Sequence, residues 1–404
     1  MAIIVKKFGG TSVATTESRK FVYKKIIEEK EKGNDLVVVI SAMGRTGDPY
    51  ATDTLLDLVR LNNPNTNPRE LDQIFVCGEN ISGVVITSNL QLLGYKAIYL
   101  SGLQAGIITQ NNHQDARIIR IEATKINLLL KEGYIVVIGG GQGGTVDGEI
   151  TTLGRGGSDT SACALGVALN AAGIEIYTDV EGIFTTDPRL VKNARIIKEM
   201  SYEDCVELAY QGAKVIHPRA VEAAQKNSNI PFYVRSTFID SLGTLICSKD
   251  KINYHGDQNS IGVPIGVTLL DKQVIIKIDD SSTIDKSLLE SNFFHELNSN
   301  KLIIGTDDLN GSKIISIIEN LAIKYDQIDK LSKITLVGTD LREDLLELSL
   351  NKLEEYSIVP VAFKIDENSI SIWIDQEHRV DGLKAVHSLI LDNNQINESL
   401  VEVV

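Results

Sequence analysis

The sequence predicts an α/β fold with a mostly parallel sheet, followed by a smaller α+β region. Over the first 240 residues, short apolar runs of strand length alternate with longer amphipathic stretches, which is typical of a parallel sheet covered by helices. After about Asp240 the predicted elements become shorter. The length of 404 residues is also too great for one ordinary core, so two or three domains are expected.

The strands of the first region are expected where apolar runs occur, at residues 3–5, 36–40, 97–100, 135–138, 175–177 and 232–234. The helices are expected in the amphipathic stretches between them, at residues 18–32, 81–93, 115–131, 160–171 and 202–211. Open parallel sheets bind ligands at the carboxyl ends of their strands. A functional site is therefore expected in the loops that follow these strands.

The chain changes character in a polar, turn-rich stretch at residues 243–262, which we interpret as a linker or a connecting strand. We therefore expect a first domain at residues 1–243, a linker at 244–260 and a tail at 261–404. Elements of the tail are expected at residues 267–270, 274–278, 313–324, 334–337, 345–356, 359–363, 370–374 and 383–391. Two helices with paired short strands on either side predict two small α+β modules related by a weak internal repeat.

Charge and composition exclude several classes of function. The tail holds 13 Lys+Arg and 25 Asp+Glu, a net charge of −12 out of −14 for the whole chain, which disfavours nucleic acid and anionic membranes as partners. The sequence shows no signal peptide, no apolar run of membrane-spanning length and no C-x-x-C pair, so a cytoplasmic protein with reduced, core-forming cysteines is expected. The histidine spacing predicts no zinc site.

The first motif is Lys7-Phe8-Gly9-Gly10-Thr11-Ser12-Val13, between the first predicted strand and a helix expected to begin near Thr15 or Thr16. Glycines let a backbone approach an anion closely, and a lysine supplies a point charge, so the motif indicates a phosphate site. A tight turn that uses glycine only for its backbone freedom explains Gly9-Gly10 equally well.

Two further segments have residue types that suit anionic ligands. Three glycines surround Arg155, and Ser158-Asp159-Thr160 precede an apolar helix as residue types that often cap helices. The loop 178–189 contains a hydroxyl, carboxylates and an arginine, although Asp187-Pro188 is also a common turn. The pattern Gly139-x-Gly141-x-x-Gly144 resembles a dinucleotide fingerprint, but no helix is predicted at its last glycine, and no P-loop motif occurs.

Together these segments resemble the aspartokinases of the amino acid kinase superfamily. The resemblance covers the first 245 residues and rests on seven segments in family order, namely residues 7–13, 39–44, 77–79, 154–161, 178–189, 211–218 and 234–237. The run 47–56 further resembles the diaminopimelate-sensitive aspartokinases of spore-forming Gram-positive bacteria. The resemblance implies a three-layer αβα amino acid kinase fold followed by two ACT-like domains.

The resemblance also implies an activity and a set of site residues. The reaction would be transfer of the ATP γ-phosphoryl group to the side-chain carboxylate of L-aspartate, the entry step to lysine, diaminopimelate, threonine and methionine biosynthesis. Lys7 and Asp159 would be catalytic. The ATP-binding residues would be Lys7, Phe8, Gly9, Gly10, Ser41, Thr178, Asp179, Phe184, Asp187, Arg189 and Lys214. Aspartate would be held by Thr52, Glu79, Arg155 and Ser158.

The cofactors implied are ATP and Mg²⁺, with the ion held mainly by the nucleotide phosphates. Free aspartate requires no general base, because its side-chain carboxyl group has a pKa of about 3.9 and is ionised at neutral pH. Phe184 stands where the family commonly has tyrosine, Asn80 where it has arginine, and Gly141 where it has phenylalanine. Loss of one phenolic hydroxyl at position 184 predicts weaker nucleotide binding rather than inactivity.

The tail of the family pairs through ACT domains and binds lysine, threonine or diaminopimelate. We therefore expect a homodimer formed through the tail. Val337-Gly338-Thr339-Asp340-Leu341 stands where an effector loop is usual, so binding at the usual effector site is not expected. Two alternatives stay open: a kinase for glutamate, N-acetylglutamate, carbamate or a nucleotide, and a catalytically silent amino-acid sensor.

Overall fold

The computed structural model describes residues 1–213, 215–226, 230–252, 262, 264–278, 293–295, 302–339, 341–342 and 344–401. The chain divides into two compact units. The first comprises Met1–Ile183, Ile196–Ala209 and Lys214–Asn253, and the second comprises Phe184–Arg195, Tyr210–Ala213 and Tyr254–Val404. Two short segments of the second unit thus precede the stretch expected as a linker. The bounds 1–243, 244–260 and 261–404 stay a prediction.

The first unit is built on an eight-stranded sheet with the strand order β10-β12-β11-β9-β1-β2-β6-β3. Its strands are β1 Ile3–Phe8, β2 Asp35–Ile40, β3 Ala97–Leu100, β6 Ile135–Gly139, β9 Gly173–Thr178, β10 Glu199–Ser201, β11 Phe232–Ser236 and β12 Thr244–Cys247. All neighbouring pairs are parallel except β11 with β12. The mostly parallel sheet predicted from the sequence is confirmed.

Eight helices of the first unit accompany this sheet in the described part of the chain. They are α1 Gly10–Val13, α2 Thr16–Glu31, α3 Thr52–Arg60, α4 Pro68–Leu92, α5 Thr124–Lys131, α6 Gly157–Ala168, α7 Tyr202–Tyr210 and α8 Pro218–Gln225. The start of α2 agrees with the sequence, because the Thr15 hydroxyl and Ser18 form a reciprocal capping box.

Helices lie on both faces of the eight-stranded sheet. On one face, apolar side chains of α2 and α4 such as Val22 and Ile86 are buried with Phe8 and Ile40 in a single core. On the other face, α6 comes so close to β9 that a Cβ at Gly166 would lie 2.4 Å from the Ile174 side chain. This arrangement confirms the three-layer αβα fold.

A second, four-stranded sheet of the first unit was not predicted. Its strands are β4 Ile107–Thr109, β5 Ile118–Ile121, β7 Gln142–Gly144 and β8 Ile150–Thr152, in the order β5-β4-β7-β8. The single helix expected at residues 115–131 is therefore wrong in its first half. Residues 118–121 pair with β4 instead, because β-branched isoleucines favour a strand once a partner is available.

Residues 244–247 lie in the stretch that we interpreted as a linker or a connecting strand. They form β12, which pairs antiparallel with β11 and parallel with β10. The second of these interpretations therefore fits these four residues. No helix in the described ranges is long and apolar enough to cross a bilayer.

The second unit contains a six-stranded antiparallel sheet with the order β14-β15-β13-β16-β18-β17. Its strands are β13 Gly266–Ile278, β14 Phe293–His295, β15 Leu302–Asp307, β16 Tyr325–Val337, β17 Ala362–Asp366 and β18 Ser369–Asp375. Its helices are α9 Asp308–Asn320, α10 Leu345–Glu355 and α11 Arg379–Val401. The described strands of the tail thus form one continuous sheet.

Two cores on this sheet correspond to the two modules expected from the sequence. One contains Val274, Ile304 and Ile318, and the other contains Ile334 and Leu383 among other side chains. The 13-residue strands β13 and β16 run through both. Each long strand contains an Asp-Lys pair whose lysine has a positive φ of 57°, at Lys272 and at Lys330, which reflects the internal repeat.

Candidate active site

The carboxyl ends of three adjacent strands of the first unit meet at one edge of the sheet. Phe8 at the end of β1 lies in register with Ile40 of β2 and Tyr177 of β9. Hydrogen bonds continue into the loops, since the Ser41 amide donates to the Phe8 carbonyl at 3.2 Å and the Gly9 amide to the Tyr177 carbonyl at 3.2 Å. The loops that carry the predicted site residues are therefore held together by backbone bonds.

Lys7 and Asp159 form an ion pair at this edge. The Lys7 ammonium lies 2.5 Å from Asp159 Oδ1, and the lysine side chain is only 9% exposed. Alternation along β1 directs Lys7 toward α6, whose first turn carries Asp159. The structure thus joins the two residues that the sequence marked as catalytic, which are 152 positions apart in the chain.

The glycine-rich motif after β1 has a more specific geometry than a generic phosphate loop. A Cβ at Gly10 would lie 2.6 Å from the Gly44 carbonyl oxygen, so only glycine allows the loops after β1 and β2 to touch. Phe8 contributes its ring to the core, where it stacks on Tyr177 with ring centroids 4.9 Å apart. The Gly9 amide already donates to the Tyr177 carbonyl, so this amide is not free to bind a phosphate.

The start of α6 differs from the sequence-based expectation. Gly156, rather than Ser158, Asp159 or Thr160, is the N-cap residue, with a left-handed φ of 67°. A Cβ at Gly156 would lie 2.2 Å from the Cβ of His217, whose pKa is lowered by burial. Ser158 and Asp159 therefore lie inside the first turn, where the helix dipole favours anionic groups.

Arg155 precedes this turn and is exposed. Within the described part of the chain its guanidinium group makes no ion pair, so it is available for an anionic ligand. The neighbouring Ser158 hydroxyl lies 3.0 Å from the hydroxyl of Ser41, which links the α6 turn to the loop after β2.

Glu79 lies in the middle of α4 and is 3% exposed. Its Oε1 accepts hydrogen bonds from the Ala42 amide at 3.3 Å and the Thr52 hydroxyl at 3.4 Å. Its Oε2 is buried and has no hydrogen-bond partner among the described residues. Burial raises the pKa of Glu79 to about 8, so the carboxyl group is largely neutral at pH 7.

One acidic residue near the strand ends, Asp179, has an arginine partner. Asp179, which follows β9, pairs with Arg45 of the loop after β2, and the Thr178 hydroxyl donates to Asp179 at 3.2 Å. The sequence interpretation missed Arg45. Its position between Gly44 and Gly47, directly after a predicted strand, was the available signal.

The remaining nucleotide residues predicted from the sequence lie elsewhere. Phe184, Asp187 and Arg189 belong to the second unit, in the loop Phe184–Arg195. There the Arg189 guanidinium group makes two bonds to Asp187, at 2.9 Å and 2.7 Å. Lys214 lies outside the described residues. No group of three or more metal-ligating side chains occurs among the residues that the structure describes.

Comparison with known proteins agrees with the fold. The model of the amino acid kinase family matches residues 2–236. The aspartokinase of Geobacillus stearothermophilus is 39% identical over 401 residues, which cover 96% of this chain and 97% of that protein. Aspartokinase 2 of Bacillus subtilis is 37% identical over 410 residues, with the same coverage of both chains.

Among solved structures, aspartokinase III of E. coli in complex with aspartate and ADP has the same fold. Its TM-score is 0.77 at 22% sequence identity, over 96% of this chain and 100% of that chain. The chain belongs to the amino acid kinase family and, within it, to the aspartokinases. It is an enzyme that phosphorylates aspartate, as the resemblance in its sequence implied.

Proposed function

We propose that the strand-end site separates two tasks, phosphoryl stabilisation at Lys7 and recognition of the amino acid at Glu79. The observation that carries this proposal is the buried Oε2 of Glu79, which has no hydrogen-bond partner among the described residues. A buried polar oxygen without a partner is costly, and the α-ammonium group of L-aspartate would pair with it once the carboxyl group is ionised. Binding of the cation would also favour the ionised form of the carboxyl group.

The other residues of the amino-acid end complete the recognition of aspartate. The exposed, unpaired Arg155 would bind the α-carboxylate, and its planar guanidinium group suits two parallel hydrogen bonds. Thr52 and Ser158 would add hydroxyl contacts, because the first lies against Glu79 and the second follows Arg155 closely. A free amino acid with both α-groups intact fits this set better than an N-acylated one.

The reaction itself needs alignment and charge stabilisation. A side-chain oxygen of aspartate would form a bond to the γ-phosphorus while the bond from that phosphorus to the β–γ bridging oxygen breaks, releasing ADP. The ionised nucleophile requires no proton transfer. Lys7 would stabilise the negative charge of the transferring group, and Asp159 holds the Lys7 ammonium in place before substrates bind.

ATP is the phosphoryl donor, and we propose Mg²⁺ as its companion ion. Asp159 and Asp179 are the carboxylates at the strand ends, and oxygen ligands suit Mg²⁺. The ion would be held mainly by the nucleotide phosphates and would neutralise part of their charge. We assign Ser41, Thr178, Asp179, Phe184, Asp187, Arg189, Lys214 and Gly10 to ATP, on the basis of the sequence resemblance. The Phe8 ring lies in the core and the Gly9 amide is bonded to Tyr177, so these two residues would shape the loop rather than bind the phosphates.

We further propose a homodimer formed through the tail. Strand β17 lies at an edge of the described sheet of the second unit. Phe363 and Ile365, two residues apart on one face of β17, are 49% and 60% exposed, and Val359 just before them is 82% exposed. An apolar sheet edge of this kind is a common site of association.

An amino-acid effector in the tail is a separate proposal. Aspartokinase III of E. coli has been solved with lysine and aspartate, and the sequence resemblance adds threonine and diaminopimelate as candidates. In this chain Leu341 packs against the larger core of the tail, and the Gly338 amide donates to the Asn368 carbonyl. These contacts support our expectation that no effector occupies the usual loop.

The four reduced cysteines support a cytoplasmic location.

The hydroxamate assay for acyl phosphate tests the proposed recognition. L-Aspartate is compared with N-acetyl-L-aspartate, the α-amide of L-aspartate, L-glutamate and carbamate, each with and without lysine, threonine or diaminopimelate. We expect efficient product formation with free L-aspartate alone. In Arg155→Ala, the difference in kcat/KM between aspartate and its α-amide should largely disappear. An Arg155→Ala enzyme that keeps this difference would contradict the assignment of Arg155.

A further inference from the structure

The loop Phe184–Arg195 is integrated into the second unit by several contacts. The Val267 amide at the start of β13 donates to the Thr185 carbonyl at 2.7 Å, and the Thr185 amide donates to the Arg195 carbonyl at 2.8 Å. Val191, 6% exposed, belongs to the larger core of that unit. The loop therefore has its conformation set by the tail.

The centre of this attachment is a buried pair of side chains. The Thr185 hydroxyl lies 2.9 Å from Nε2 of His387 on α11, and the two residues are 8% and 1% exposed. The same hydroxyl accepts a hydrogen bond from the Arg195 amide at 3.1 Å. The hydroxyl can accept from Arg195 and at the same time donate its proton to the imidazole, when Nε2 carries no proton.

The state of His387 is consistent with this direction of the bond. Burial, together with the nearby positive charge of Arg195, lowers the pKa of His387. The imidazole is therefore neutral at pH 7 and has one ring nitrogen that accepts. Thr185, Arg195 and His387 thus form a chain of hydrogen bonds that closes both ends of the loop onto α11.

We propose that His387 is a positioning residue for the nucleotide: acting through Thr185, it fixes the loop Phe184–Arg195 in the conformation in which Asp187 and Arg189 meet ATP. This inference rests on the proposed assignment of that loop to ATP. Its physical basis is pre-organisation, because a loop already held in its binding conformation loses less entropy when the nucleotide arrives. The tail then contributes to ATP affinity through one residue 202 positions from its partner.

The test uses the full-length enzyme and steady-state kinetics with each substrate varied in turn. His387→Leu and Thr185→Val each remove the bond while keeping a buried side chain of similar size. Each is expected to raise the KM for ATP on the order of fivefold to tenfold, as loss of a buried hydrogen bond does. The kcat at saturating ATP and the KM for aspartate should change less than twofold.

Three further variants make the result specific. His387→Gln can present an amide at the place of Nε2 and should restore the KM for ATP to within about twofold of the native enzyme. The double variant should be no worse than either single one, since both remove the same interaction. Thr335→Val is the matched control. The Thr335 hydroxyl of β16 makes a buried bond of 3.0 Å to the Ser371 hydroxyl of β18, in the sheet of the second unit and outside the loop Phe184–Arg195.

The outcomes separate this inference from the proposed function. If His387→Leu and Thr335→Val change both KM values and the melting temperature alike, the role of His387 is merely structural and the inference is overturned. Arg189→Ala tests the loop itself. If it raises the KM for ATP while the His387 variants do not, only the inference fails. If Arg189→Ala leaves that KM unchanged, the loop does not bind ATP and both proposals fail.

Discussion

Lys6 and Lys7 follow each other in β1, yet their ammonium groups lie on opposite faces of the sheet. Lys6 is buried between Glu29 of α2, at 3.1 Å, and Glu175 of β9, at 2.7 Å. Lys7 reaches Asp159 at the strand-end site. Side chains of a strand alternate between faces, so one position in the sequence separates a buried structural lysine from the lysine that we propose to be catalytic.

This difference leads to a matched pair of variants. We expect Lys7→Ala to lower kcat on the order of 10²- to 10³-fold, as removal of one pre-organised charge does. Lys6→Ala removes the cation that two buried carboxylates share, but Glu29 keeps Lys32 at 3.3 Å and Glu175 keeps Arg235 at 3.0 Å, so it should lower the free energy of unfolding by about 1.5–3 kcal/mol. Its kcat per folded molecule should stay near the native value. Near-normal turnover by a folded Lys7→Ala enzyme would rule out the phosphoryl role of Lys7.

Glu79 makes aspartate binding depend on pH. The carboxyl group has a pKa of about 8 in the free enzyme, and it must ionise to pair with the α-ammonium group. The KM for aspartate should therefore fall as pH rises toward 8, by about tenfold per unit well below that value. The KM for ATP, measured alongside, should show no such slope. Initial rates between pH 6 and 8.5 test this, and a flat KM for aspartate would refute it.

The same group affects stability with a defined sign. The folded-state pKa of Glu79 is raised above its ordinary value, so the native state holds a proton that the unfolded state releases. Stability should thus decrease as pH rises from about 4.5 to about 8, in the absence of aspartate. In Glu79→Gln this contribution is absent, and the pH dependence of the KM for aspartate should disappear as well.

Among the elements, α6 has the start with the strictest local geometry. Gly156→Ala would place a side chain at a left-handed φ and 2.2 Å from His217. We expect a lower melting temperature and a kcat/KM reduced more than tenfold, because the turn carrying Ser158 and Asp159 must move. Gly133→Ala is the control, since its φ of 84° is similarly left-handed but no atom lies within 4 Å of the added Cβ. Equal effects of the two variants would show that strain alone matters.

Elements with local signals were predictable, and elements that depend on distant partners were not. The strand β1, the glycine turn and the capped start of α2 each follow from residues within one short segment. By contrast, β5 and β12 are strands because they pair with β4 and β11, and no pattern within either segment indicated that a partner strand would be available. The isoleucine-rich residues 118–121 also satisfy a helical pattern, so periodicity alone predicted a helix where the structure has a strand.

For the whole molecule, the tail is where association is expected. Phe363→Glu combined with Ile365→Lys should dissociate the proposed dimer, because charges replace apolar side chains at the edge strand β17. Sedimentation velocity at micromolar concentration measures the change. Leu61→Lys, at a position of the first unit that is 84% exposed, is the control and should leave the dimer intact. A dimer that survives the double substitution would place the interface elsewhere.

The sequence by itself determined the parallel α/β class, the loops that contain the site and, through seven motif segments, membership of the aspartokinases. These features depend on the periodicity of hydrophobic residues within short segments and on the residue types of each motif. Only the tertiary structure decided that Lys7 meets Asp159, that Thr185 bonds to His387 and that a buried oxygen of Glu79 has no partner in the described part of the chain. Those facts depend on burial and on contacts across 150 to 200 residues, which no local pattern encodes.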